Sequence, residues 1–101
     1  MVAETISIFR KEFREYRDYE ERMGNSIKFF YNYEEKTLDV YSEAFDCYDG
    51  YDDYGSPYYW SYICTYENVE AIDFAEMICF YLYHKQEFDE DNINCIFTTN
   101  R

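Results

Sequence analysis

Between residues 3 and 23, apolar side chains recur at Ile6, Phe9, Phe13, Tyr16 and Met23. This three-and-four spacing predicts an amphipathic helix, closed by Gly24 and Asn25. Its other side carries Arg10, Lys11, Arg14, Arg17 and Arg22 among Glu12, Glu15, Asp18, Glu20 and Glu21. Asp18 and Arg22 are spaced for a favourable i,i+4 pair, and Arg17 and Glu21 for the weaker reverse pair. Such mixed charge describes a solvated face. Alternatively, Arg10, Arg14 and Arg17, which share one side, tether acidic groups elsewhere in the fold.

From Ile27 the period changes to two. Ile27, Phe29, Tyr31 and Tyr33 alternate with Lys28, Phe30 and Asn32, then Leu38, Val40, Ser42 and Ala44 with Asp39, Tyr41, Glu43 and Phe45. Two strands joined through Glu34, Glu35 and Lys36 predict a β-hairpin, with Asp39, Tyr41 and Glu43 facing outward together. Residues 46–57 hold two of the three glycines and the only proline, so they read as a loop. Alternation resumes over 58–66, with Tyr58, Trp60, Tyr62, Cys64 and Tyr66 expected on one side of a third strand.

Asn68 is a candidate N-cap for a helix over 69–86. That helix is apolar around most of its circumference, which predicts that it is largely covered. Asp89, Glu90 and Asp91 read as a charged link to a last strand over 93–98, with Ile93, Cys95 and Phe97 on one face. The order α-β-β-β-α-β predicts an α+β single domain, residues 1–101, whose mainly antiparallel sheet packs against two helices. The pattern leaves open the strand order and the direction of the last strand.

Composition sharpens this picture. The formal charge is −13, yet 24% of residues are aromatic, so the chain is expected to fold and to carry an acidic skin. Residues 1–24 hold five basic and six acidic side chains, net −1; the remaining four basic and sixteen acidic ones, net −12, lie in residues 25–101. From Thr37 to His84 there is no lysine or arginine, while ten carboxylates and fourteen aromatic residues appear. Self-repulsion on this scale opposes folding, which suggests that the charge is kept for recognition of a basic partner.

Several chemistries find little support. The chain has one histidine, His84, placed near a helix end, and no phosphate-cradling or nucleophile-elbow motif, so no catalytic residues and no enzyme activity are expected. Cys47, Cys64, Cys79 and Cys95 stand 17, 15 and 16 apart, without the close pairs of a zinc site, and read as reduced, buried thiols, while the three disulfide pairings open to four cysteines stay compatible with the pattern. Asp46, Asp49, Asp52 and Asp53 do not follow the EF-hand spacing, so neither a metal nor another cofactor is expected. No run is long enough to cross a bilayer, and the acidic surface is expected to repel anionic lipid and nucleic acid. A soluble protein of the cytoplasm is the expectation.

The remaining reading is mimicry of nucleic acid. DNA-binding proteins meet the duplex with lysine and arginine rows, which rigidly held carboxylates can occupy. Residues two apart on a strand lie about 6.6 Å apart, close to the phosphate spacing along one strand. The candidate contacts are Asp39, Glu43, Asp46, Asp49, Asp52, Asp53, Glu70, Asp73 and Glu76, with Tyr51 and Tyr54 placed to stack on arginine. In size, charge, aromatic content and lack of a catalytic motif, the chain resembles the small acidic DNA-mimic inhibitors encoded by phages, of the anti-CRISPR and anti-restriction type. That resemblance implies a stoichiometric inhibitor that evades host defence by binding the basic groove of a nuclease or of a CRISPR or restriction effector, with a homo-oligomer compatible with it. An immunity protein or antitoxin that neutralises one cognate basic toxin is the alternative.

Overall fold

The computed structural model describes residues 2–19, 24–45 and 58–101. Helix α1 (Val2–Asp18) leads into strands β1 (Ser26–Asn32), β2 (Thr37–Phe45) and β3 (Tyr58–Tyr66), helices α2 (Ala71–Tyr83) and α3 (Lys85–Glu90), and strand β4 (Asn94–Thr99). The strands form one mixed sheet in the order β3-β2-β1-β4. The β1–β2 and β2–β3 pairs are antiparallel, as the hairpin pattern requires, while β4 runs parallel to β1 with Ile27 opposite Cys95. The fold is therefore α+β, with its helices on one face of the sheet.

The side chains at alternate strand positions meet the helices. Ile27, Phe29 and Tyr31 of β1, Leu38 and Val40 of β2, and Cys95 of β4 are buried against Phe9 and Tyr16 of α1 and Phe74, Met77 and Tyr81 of α2. Phe9, at 0% exposure, lies within 6.0 Å, centroid to centroid, of Phe29, Phe80, Phe88 and Phe97. Aromatic pairs at these separations attract beyond the area they bury. Tyr31 stacks on Phe74 at 5.0 Å, and its hydroxyl donates to the Val69 carbonyl at 2.5 Å, tying the start of α2 to β1. Tyr31→Phe would leave that buried carbonyl without its donor. A loss of about 1–2 kcal/mol is expected, read from the urea midpoint at unchanged m value.

Several expected boundaries move, each for a local reason. Asn68 is not the N-cap: its φ of 60° puts it in the left-handed region, and α2 starts after Glu70, with no side-chain cap. The Val69 N–H instead donates to the Lys36 carbonyl at 2.9 Å. The expected helix over 69–86 breaks at His84, and residues 85–90, expected as helix end and link, form α3. The break lets Phe88 turn inward to Phe13, 4.2 Å between centroids. Helix α1 ends at Asp18, where Arg17 pairs with Asp18 at 2.8 Å; Glu21 and Arg22, the partners expected for Arg17 and Asp18, lie outside the described residues.

The third strand departs most from simple alternation. Tyr62 lies opposite Tyr41 and Cys64 opposite Val40, so Ile63 is an extra residue, a β-bulge. Trp60 and Tyr62 consequently face away from the helices, while Cys64 and Tyr66 face toward them. One inserted residue splits a row that alternation alone puts on a single side.

In the β1–β2 turn, Asn32 Oδ1 accepts from the Glu34 and Glu35 N–H groups, both at 2.9 Å, and Lys36 adopts a φ of 56°. The asparagine side chain thereby organises a hairpin that has no Asn-Gly signal.

Candidate functional site

No described element covers the sheet face opposite the helices. Alternation places Lys28, Phe30 and Asn32 of β1, Asp39, Tyr41 and Glu43 of β2, and Trp60, Tyr62 and Thr65 of β3 on it, with Phe30 opposite Asp39 and Glu43 opposite Trp60. The expectation that Asp39, Tyr41 and Glu43 project together is met. The centre of the face is aromatic. Tyr41 and Tyr62 meet edge to face at 5.8 Å, and the Lys28 ammonium sits 4.7 Å from the Tyr41 ring centre and 4.8 Å from that of Trp60. Ring faces attract cations through their quadrupole. Burial, with Asp39 and Tyr62 beside it, raises the Tyr41 pKa, so its hydroxyl stays protonated well into the alkaline range.

Two carboxylates border this cluster, each fastened to the fold. Asp39 Oδ1 accepts from Thr65 Oγ1 at 2.6 Å, and Thr65 Oγ1 is 2.6 Å from the Tyr62 hydroxyl, a chain that orients ring and carboxylate together. Glu43 Oε1 accepts from the Asn25 N–H at 3.1 Å and lies so close to Gly24 that a Cβ there would collide with it. From the other side, the Tyr16 hydroxyl donates to the Gly24 carbonyl at 2.8 Å. Glu43 thus helps hold the corner between α1 and β1 while showing charge on the open face.

The other expected contacts do not join this surface. Glu70 stands at the end of the sheet beside the β1–β2 turn, paired with Lys36 at 3.2 Å. Glu76 is exposed on α2, which packs on the opposite face. Asp73 is only 2% exposed and cannot touch a partner, so it leaves the contact set. The helix turns that position inward beside Phe74 and Met77. Asp46, Asp49, Tyr51, Asp52, Asp53 and Tyr54 lie outside the described residues.

The pattern also misplaced Glu12. Assigned to the solvated side of α1, it is 4% exposed, accepts from the Tyr66 hydroxyl, and is 3.7 Å from the Cys64 thiol. Burial first, and the Glu12 carboxylate second, push the Tyr66 and Cys64 pKa values up, which holds both groups neutral donors to the carboxylate. The sequence does carry the signal, since Glu12 lies three residues after Phe9 and four before Tyr16. Arg10, offered as a tether for acids, instead lies 4.7 Å over the Phe80 ring.

Cys64, Cys79 and Cys95 are free thiols, and of these Cys79 is exposed rather than packed. Among the described residues no group of three or more His, Cys, Asp or Glu side chains is placed to hold a metal ion. His84 lies at the α2–α3 joint, 4.4 Å from the Phe80 ring and 3.3 Å from the Glu87 carboxylate. A recess lined by Asn25, Asp89, Asn92, Ile93 and Asn94 is small and almost wholly polar. No described helix is long and apolar enough to cross a membrane.

The class these features define is an acidic α+β domain with an open, aromatic sheet face bordered by carboxylates. No family model, curated protein or solved structure matches the chain.

Proposed function

We propose that the protein is a non-enzymatic inhibitor that sets its open sheet face against the basic nucleic-acid-binding surface of a nuclease or of a CRISPR or restriction effector. The observation that carries this reading is the pairing of Asp39 and Glu43 with the Tyr41, Trp60 and Tyr62 rings on a sheet face that no described element covers, in a molecule of charge −13. Carboxylates and ring faces are the two groups that hold a guanidinium, by charge-assisted hydrogen bonds and by cation–π attraction. The rings already take one cation, Lys28. Strands β2 and β3 are joined through residues 46–57, whose four aspartates extend the same acidic run along the chain.

The contact set is therefore narrower than charge alone suggests: it centres on Asp39 and Glu43 with the 46–57 segment, and Glu70 and Glu76 contribute to the long-range field. That field speeds encounter with a cationic groove and is screened by salt.

The test uses purified restriction endonucleases and CRISPR effector complexes, assayed for cleavage with the protein present. Inhibition at one-to-one stoichiometry, relieved by excess duplex DNA, is the expected result for at least one of them. Asp39→Lys with Glu43→Lys should weaken that inhibition at least ~10-fold, and circular dichroism checks that the fold survives the loss of the Asn25 contact. Inhibition that excess DNA does not relieve would defeat the mimic reading, as would no inhibition of any of these enzymes.

A further inference from the structure

Helix α2 is apolar around most of its circumference, yet sheet and α1 bury only the side that carries Phe74, Met77 and Tyr81. This corrects the expectation of a largely covered helix. The outer side holds Ile72, Ala75, Cys79, Leu82 and Tyr83, with Ile72 64%, Leu82 62% and Tyr83 86% exposed. Large apolar side chains left in water at helical spacing mark a surface that binds something.

The identity of the occupant follows from the row itself. Positions 72, 75, 79 and 82 are spaced three, four and three, the seam along which one helix packs on another. Their sizes run large, small, small, large, and this order reads the same in both directions about Met77. A row with that symmetry is complementary to itself across a two-fold axis. In an antiparallel pair, Ile72 meets Leu82 of the second copy and Ala75 meets Cys79.

Charge restricts where a second copy can dock. Two copies at −13 repel each other, so contact is favoured where carboxylates are fewest. From Met77 to Gln86 there is none. We propose that a second copy of this chain docks on the outer side of α2, forming a two-fold dimer through antiparallel helices.

The outer side chains expose on the order of 500 Å² per copy, so pairing buries about 1,000 Å² in total, near the lower bound for a specific interface. The dimer is accordingly weak and depends on concentration. Pairing about Met77 also brings the two Glu76 side chains to the same side of the seam, where they repel.

Analytical ultracentrifugation from low micromolar to millimolar concentration tests this. The wild-type chain is expected to pass from monomer to dimer, and Ile72→Lys with Leu82→Lys to abolish that change. Glu76→Gln should shift the midpoint to lower concentration. A short bis-maleimide should link two copies of the wild-type protein, and Cys79→Ser should remove that product. Should the double lysine variant not fold, Leu82→Gln and the crosslink decide. A wild-type chain that stays monomeric up to millimolar concentration, or a dimer indifferent to Leu82 and not linked through Cys79, overturns the proposal. Monomer that binds only unrelated apolar partners does so as well.

Discussion

Phe9→Ala is expected to destabilise the domain by about 3–5 kcal/mol, the range in which the costliest aromatic truncations fall. The reason is position as well as size. Phe9 touches sheet and helices at once: Phe29 and Phe97 on strands, Phe80 on α2 and Phe88 on α3. Removing it leaves a void that four rings border and that the backbone of four separate elements would have to move to fill. Such sites relax poorly, and poor relaxation puts a truncation at the high end of the range. Small domains have marginal stability, so this loss takes up much of the total. Urea unfolding should show the midpoint fall at constant m value. A change below about 1 kcal/mol would mean that the helices do not share one core with the sheet.

Alkaline pH is expected to have an effect of similar size. Burial pushes the Cys95 thiol from its ordinary 9.0 to about 12. Between those two values the unfolded chain has lost the Cys95 proton and the folded chain keeps it, so the folded state binds more protons and stability falls as pH rises. The contribution is fully present below pH 9 and is lost progressively up to about pH 12, a loss on the order of 4 kcal/mol. The Tyr31 and Tyr66 hydroxyls, both raised chiefly by burial, act in the same direction above pH 10, where unfolded tyrosine ionises. Cys64, likewise raised, adds to the fall from pH 9. Urea midpoints measured at pH 8, 10 and 11 should drop steeply. Cys95→Ala removes one of these titrations, so its profile should be shallower from pH 9 upward. Parallel profiles for the two proteins would show that the Cys95 thiol is not held neutral by the core.

These two expectations concern the side of the sheet that faces the helices, and the proposed partner surface lies on the other. Separation of the two has a practical consequence: lysine substitutions at Asp39 test recognition without touching Phe9, Phe29 or Cys95. Glu43 is the exception, because its carboxylate also receives the Asn25 N–H. A loss of inhibition from Glu43→Lys alone therefore needs a stability measurement beside it, whereas Asp39→Lys alone reports mainly on the face.

How far the chain could be read without its structure differs from element to element. The hairpin was legible because period two has only one arrangement that buries Ile27, Phe29, Tyr31, Leu38 and Val40 together, and that arrangement sets Asp39, Tyr41 and Glu43 outward. The third strand was half legible, since a bulge at Ile63 reverses the facing of every residue on one side of it. Asp73 and Glu12 were misplaced for a common reason. A carboxylate signals water by its type, and only its helical phase relative to Phe74, or to Phe9 and Tyr16, signals burial. The α2 surface was misjudged in the opposite direction, because apolar residues all round a helix signal full cover only if enough chain exists to supply it.

By itself, the sequence determined the element order, the α+β class, the residues that build the core, and an acidic charge large enough to govern encounters with other molecules. These are properties of local period and of composition, and both are carried by neighbouring residues. Only the tertiary structure decided that β4 lies parallel to β1, that Trp60 and Tyr62 share the open face with Asp39, that Glu12 meets Tyr66, and that one side of α2 stays bare. Each of those depends on which distant segments come together, a choice made by the packing of the whole core.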